Sequence, residues 1–192
     1  SQLALMSEAS QEARHNDVIT YYEQGDYPLK KEPRGRRLQI AAKSYAALGE
    51  EQKSTVLLRK LASISPDDLT ALEASYFVLS REYRAKGEGH SQQIQAFLKR
   101  FGKKYDNAPR IHNARLMLAE SYHEGDQFSL AVTTYEAIDL THIAVQNHPG
   151  LLYRMADAQL RAGNKEAALD SFNLFIAEHP GHSQISNAIV NR

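Results

Sequence analysis

The apolar positions of this chain recur at helical rather than strand spacing. Between 149 and 182, Leu152, Met155, Ala156 and Leu160 fall at i, i+3, i+4 and i+8, and Ala168, Leu169, Phe172, Phe175 and Ile176 resume the rhythm after a break at Gly163-Asn164. Residues so spaced line one face of a helix with 3.6 residues per turn. The segment therefore predicts two amphipathic helices folded back on each other. Gly163 lets the first end in a left-handed turn, and Pro180 stops the second.

The same pattern occurs upstream. In 35–68, Leu38, Ala42 and Tyr45 precede Gly49, and Leu58 and Leu61 precede Pro66; Gly49 to Pro66 and Gly163 to Pro180 are both separations of 17. In 112–148, Leu118, Ala119 and Tyr122 lead to Gly125-Asp126, a turn one residue longer, followed by Phe128, Ala131, Tyr135 and Ile138. A looser copy, 69–111, places Leu72, Tyr76, Leu79 and Tyr83 before Gly87, and Ile94, Phe97, Leu98 and Phe101 before Pro109, with Gly87-Glu88-Gly89 as an inserted loop. A single hairpin cannot bury its apolar face alone, so repetition predicts hairpins stacked on one another. Ala42, Ala119, Ala131, Ala156 and Ala168 let helix backbones approach, while Tyr45, Tyr83, Tyr122, Tyr135 and Phe172 fill the wider gaps.

The ends are less regular. Leu5, Ala9, Ala13, Val18, Tyr21 and Tyr22 predict one helix to about Gln24, and Gly25-Asp26-Tyr27 begins a turn that Pro28 and Pro33 interrupt. Residues 1–34 thus read as a degenerate repeat with a helix, a loop and no clean second helix. Over 183–192, Ile185, Ala188 and Ile189 mark the opening turns of a further helix, and the array is expected to continue past Arg192 into further repeats or domains of the same protein.

Small residue, tyrosine, glycine, alanine, aromatic and proline at these offsets resemble the tetratricopeptide repeat, over about 35–182. The resemblance departs from the family at the first-helix tryptophan, since the chain contains none, and at Ser54 and Phe175, which replace expected alanines. It implies an all-α fold, a right-handed α-solenoid of stacked antiparallel helical hairpins, with repeats at 35–68, 69–111, 112–148 and 149–182. It also implies that first helices line a concave groove that holds a partner. Carried over by register, the groove residues are Arg36, Gln39 and Lys43, then Phe77, Arg81 and Arg84, then Asn113, Leu116, Glu120 and His123, then Tyr153, Asp157 and Arg161. Such a surface is basic at its N-terminal half and mixed at its C-terminal half, with Phe77, Leu116 and Tyr153 as apolar anchors. An acidic or amphipathic protein segment suits it.

Charge narrows the field. The 192 residues carry 23 basic and 23 acidic side chains, so no global field steers the molecule to nucleic acid or an anionic membrane. Cysteine is absent, which excludes disulfides and thiolate chemistry and suits either an oxidising or a reducing compartment. No run approaches the roughly 18 apolar residues of a membrane helix. Neither nucleophile motifs nor a phosphate loop occur. The pairs His179 with His182 and His142 with His148 lack helical ligand spacing and read as exposed loop histidines, so neither metal nor cofactor is expected, and no catalytic residue is assigned.

Two basic clusters remain. Lys30, Lys31, Arg34, Arg36 and Arg37 form a loop in which Arg36 and Arg37, near a helix start, oppose the helix dipole and call for an external anion or carboxylate. Lys99, Arg100, Lys103 and Lys104 are interleaved with Phe97, Phe101 and Tyr105, which reads as core aromatics with snorkelling cations. The leading reading is a protein-interaction scaffold, not an enzyme. The spellings at 97–109 and 172–180 look like repeats of bacterial envelope proteins, which points to an assembly or export machine in the periplasm or cell envelope, with a cytoplasmic location as the alternative. The rival functions are a docking region of a larger enzyme or export protein and a nucleic-acid-binding solenoid, which zero net charge opposes.

Overall fold

Left-handed backbone marks the end of one helix after another. Gly49 has φ +79° and Gly163 +85°, and two residues without glycine's freedom, Ala13 and Asp126, both have φ 55°. Each is followed by the same closing hydrogen bond, in which an amide reaches back five residues. Arg14 donates to the carbonyl of Ala9, Glu50 to Tyr45, Gln127 to Tyr122 and Asn164 to Gln159, all at 2.8 Å. These are one helix-ending turn used four times. The second helix then opens the same way each time: Val18, Ser54, Ala131 and Ala168 donate to the carbonyls of Arg14, Glu50, Gln127 and Asn164 at 3.0 to 3.1 Å.

The computed structural model describes residues 2–25, 31–64, 68–86 and 90–192, and the elements below are those of the described residues. They form helices α1 (Gln2–Gln11), α2 (His15–Glu23), α3 (Lys31–Ala47), α4 (Glu51–Ile64), α5 (Leu69–Lys86) and α6 (Ser91–Phe101). Then come α7 (Pro109–Glu124), α8 (Phe128–Glu136), α9 (His148–Arg161), α10 (Lys165–Glu178) and α11 (Ile185–Asn191). Short 3-10 turns, Leu140–His142 and Val145–Asn147, join α8 to α9. The fold class is all-α, and no strand occurs among the described residues. No described helix is long and apolar enough to cross a membrane. The expected turn at Asp26, Tyr27 and Pro28, the basic residue Lys30, the closing Pro66 and the loop Gly87-Glu88-Gly89 lie outside the described residues.

Three sequence expectations need correction. The N-terminal segment is not one helix: Ala13 takes the left-handed position and is exposed, so α1 and α2 form a hairpin of their own. Pro33 does not interrupt α3, because it falls in the first turn of that helix, where backbone N–H groups have no intrahelical acceptor. The turn after α7 is not one residue longer: its left-handed residue is Asp126, which follows Tyr122 as Gly49 follows Tyr45, while Gly125 has φ −90°. Pro109 likewise opens α7 at its first position as well as coming after α6.

The chain divides into two compact units, 1–81 and 82–192, with the boundary inside α5. The first is built on Met6, Ala9, Val18, Leu38, Ala41, Ala42, Tyr45, Leu57, Leu61 and Ala74, all buried. Leu5, grouped with the apolar face by spacing, is exposed. In the second unit, Leu152, Ala156, Ala168, Phe172, Phe175 and Ala188 form one core cluster. Tyr153 meets Phe172 and Phe175 edge-on, with ring centroids 5.8 and 5.6 Å apart. Leu169 and Ile189 are exposed instead of joining that face. The buried polar pair Ser171 and Gln159 is satisfied internally, the Ser171 hydroxyl donating to Gln159 Oε1 at 2.7 Å.

Candidate partner-binding surface

The repeated turn supplies a common register for the first helices. Two residues before its acceptors Tyr45, Tyr122 and Gln159 stand Lys43, Glu120 and Asp157, and six residues before stand Gln39, Leu116 and Tyr153. These residues are structurally equivalent, and Arg36 matches Asn113 in the same way. His123 and Arg161 occupy positions that Ala46 and Ala47 take in the first unit, so they belong to the neighbouring row of the helix.

In the first unit, Gln39, Lys43, Phe77 and Arg81 line one cavity of about 120 Å³. Its floor is Ala42, Ala46 and Ala74 with Leu58 and Leu61, and Thr70 and Glu73 stand on the α5 side. Small residues on α3 and α5 leave this space unfilled. Phe77 is 41% exposed, a large aromatic held at the surface. Arg36 and Lys43 are exposed on α3, and neither they nor Gln39 makes an ion pair or side-chain hydrogen bond among the described residues. Arg81 differs from its expected role as a cation for the partner. Its Nη2 pairs with the Glu51 carboxylate at 2.5 Å, and its Nη1 reaches Ser54 Oγ at 3.0 Å and Thr55 Oγ1 at 3.2 Å. The serine that replaces alanine at position 54 thus gives a buried hydroxyl to a guanidinium from α5.

In the second unit the equivalent positions are occupied by one another. His123 Nε2 lies 2.7 Å from Asp157 Oδ2, and Arg161 Nε reaches the same oxygen at 3.0 Å. The Phe128 ring closes the group, with His123 edge-on at 5.5 Å and the Arg161 guanidinium 5.3 Å over its face. Glu120 faces Arg154 at 3.6 Å and accepts from the Tyr83 hydroxyl at 3.3 Å. Burial raises the Glu120 carboxyl above its ordinary range, against the opposing pull of Arg154. The Tyr83 phenol is pushed up to about 12, by burial first and then by the charges of Glu120 and Glu124. Tyr153 is half-buried against the core, and so are Asn113 and Leu116, while Arg84 is exposed at the start of this unit.

The basic cluster near α3 also has a different use from the one expected. Arg37 is buried, its Nη2 donates to the carbonyls of Tyr22 and Gly25 at the end of α2, and its guanidinium lies 5.0 Å over the Tyr22 ring. The anion that it required is the negative end of a helix in the same unit. A Cβ on Gly25 would collide with Gln2 Oε1 and fall 2.9 Å from Arg37 Nη2, so any larger residue there would have to displace the ends of these two side chains. Arg34 and Arg36 remain exposed. In the second cluster Phe97 and Phe101 are buried and Arg100 lies 4.6 Å over Phe101, in line with the expectation of core aromatics and snorkelling cations.

The four histidines read as exposed are half-buried, although His179 and His182 do lie in the loop between α10 and α11. His148 Nε2 bridges the carbonyls of Leu140 and Ile143 at 3.0 Å each and so ties down the 3-10 turns. His142 stacks on buried His112 with ring centroids 4.7 Å apart, and His112 Nδ1 accepts from the Asp139 amide at 3.0 Å. His179 and His182 both pack on Phe175. Burial lowers the His112 pKa. Among the described residues no three histidine or carboxylate side chains converge to hold a metal.

The tetratricopeptide-repeat family model matches residues 151–182, the α9–α10 hairpin. This chain carries a tetratricopeptide repeat there. Solved tetratricopeptide proteins have the same fold over nearly the whole length. A MamA chain from AMB-1 superposes with a TM-score of 0.65 at 16% identity, over 100% of this chain and 98% of that one. YrrB, described as a TPR protein with an unusual peptide-binding site, gives 0.65 at 13% identity over 97% and 89%. MamA from MSR-1 gives 0.53 at 14% identity over 88% of each. A search of curated protein sequences finds no significant match. At these identities the likeness establishes the tetratricopeptide fold and no function.

Proposed function

We propose that this protein is a tetratricopeptide scaffold that binds a segment of a partner protein, and that the first unit holds the principal binding surface. The observation that carries the reading is the apolar cavity lined by Gln39, Lys43, Phe77 and Arg81, beside a row of α3 side chains with no partner of their own among the described residues. A cleft of small residues with an exposed aromatic on its edge and polar groups on its rim is the anatomy of a binding hot spot. The peptide-binding description of YrrB is compatible with this reading. The chain then acts by holding, not by catalysis.

The test is capture from a lysate of the source organism, comparing the chain with a Phe77→Ala, Lys43→Glu variant. A specific protein retained by the first and lost by the second supports the surface. The same proteins on both, or nucleic acid alone, contradicts it. The nucleic-acid reading is weakened because Arg37, one of the five residues of the basic cluster, is buried on carbonyls within its own unit. We further propose the bacterial cell envelope as the compartment, on the spelling of residues 97–109 and 172–180 alone. Fractionation of cells expressing the tagged full-length protein tests this, and a purely cytoplasmic signal would overturn it.

A further inference from the structure

The cavity in the first unit has a size, a polarity and a direction, and together these describe its ligand. Its volume is about 120 Å³, somewhat less than the roughly 150 Å³ of an apolar cavity that accepts benzene. One branched aliphatic side chain matches that space, and an indole exceeds it. The alanines and leucines of the floor offer no hydrogen bond, and the hydroxyl beside them, that of Ser54, already accepts from Arg81, so a polar occupant would be stripped of water with little compensation.

The rim is not symmetrical. On the α3 side, Arg36, Gln39 and Lys43 succeed one another at i, i+3 and i+7 along one helix face, a stripe of about 10 Å. None of the three is engaged among the described residues. On the α5 side stand Thr70 and Glu73, and Glu73 already has an interaction of its own. Arg81, also on α5, is held by Glu51, Ser54 and Thr55, so it acts as a fixed wall. A wall already ordered before binding costs the ligand less to meet.

Resting on the scaffold reading above, we propose that this cavity takes a single aliphatic side chain, of leucine or isoleucine size, from an acidic segment of a partner protein. The carboxylates of the segment lie along the α3 stripe. The aliphatic anchor supplies affinity, and the free cations set which way the segment runs.

The test is fluorescence anisotropy of labelled synthetic peptides on the intact chain. In a glutamate-, alanine- and glutamine-based sequence, one central position is varied through Leu, Ile, Ala, Asn and Trp. In a second set the glutamates become lysines. The expected result is binding by the Leu and Ile peptides, with a loss of about tenfold or more for Ala, Asn and Trp. The lysine set should fail on the native chain and bind the Lys43→Glu variant better than the glutamate set does. Ala46→Leu, which fills the cavity from a half-buried position, should abolish the anchor preference without lowering the thermal midpoint.

Indifference to the anchor, equal binding of acidic and basic sets, tighter binding of a single-stranded oligonucleotide, or no binding of any peptide each overturns the proposal. If one of these is found while Phe77→Ala, Lys43→Glu still loses a captured protein, the scaffold reading stands and only the ligand chemistry fails. If capture is also insensitive to that variant, both fail.

Discussion

One position of the repeated first helix is Lys43 in the first unit and Glu120 and Asp157 in the second, and the three have different surroundings. Lys43 stands exposed beside an apolar cavity and pairs with nothing among the described residues. Asp157 is pinned between His123 and Arg161, and Glu120 between Arg154 and Tyr83. A polar side chain already satisfied within its own unit must break those bonds before it can serve a partner, while one facing water loses only water. Register alone therefore does not make a binding residue. Equivalent positions on one scaffold divide into those that hold the scaffold and those left available.

The largest expected contrast is between two aromatics. Phe172→Ala removes a ring with no exposure from the core of the second unit and should cost about 3 to 5 kcal/mol in chemical denaturation. Phe77→Ala removes a surface ring and should cost less than about 1 kcal/mol while abolishing partner capture. Equal destabilisation by the two would erase the distinction. Next comes the shared polar position. Asp157→Ala strands His123 and Arg161 and should lower stability by about 1 to 2 kcal/mol, whereas Lys43→Ala should stay within about 0.5 kcal/mol.

The turns give a smaller effect of opposite sign. Ala13 holds φ 55° without glycine's freedom, so Ala13→Gly should stabilise the chain by about 0.5 to 1 kcal/mol, seen as a higher denaturation midpoint. Gly163→Ala should destabilise it, because φ there is +85°.

The smallest effect is a pH dependence that belongs to the second unit. His112 has a folded pKa below its ordinary 6.5 because it is buried, so the unfolded chain binds more protons between the two values. Its contribution to stability is complete above pH 6.5 and is lost as pH falls through that value to the folded pKa. Arg115 and His142 add to the depression, while Asp139 and Asp106 oppose it. Thermal melts of His112→Gln should therefore fall less steeply than those of the native chain as the pH is lowered below 6.5. Parallel slopes would contradict the assignment.

Much of the architecture was legible because apolar spacing and glycine are local signals. Gly49 and Gly163 marked two turns correctly, and Leu38, Ala42, Tyr45, Leu152, Ala156 and Phe172 all lie in the core. The α1–α2 hairpin escaped because its left-handed residue is Ala13, and nothing in the spelling of an alanine announces a positive φ. The site was only partly legible. Gln39, Lys43 and Phe77 line a cavity, but the commitment of Arg81 to Ser54 spans 27 residues, and that of His123 to Asp157 spans 34. Such pairings are set by how hairpins stack, which no local pattern encodes. The same holds for Arg37, whose anion lies at the end of α2 and not in a partner.

The most direct test of the central claim is site-specific photo-crosslinking in cells of the source organism, with a photoreactive phenylalanine placed in turn at Gln39, Phe77, Leu116 and Tyr153. Gln39, Leu116 and Tyr153 share one register position, so the first-helix surface is sampled in both units. The account predicts a discrete adduct from Gln39 and Phe77 and none from Leu116 or Tyr153. Adducts confined to Leu116 and Tyr153, or equal at all four, would contradict it.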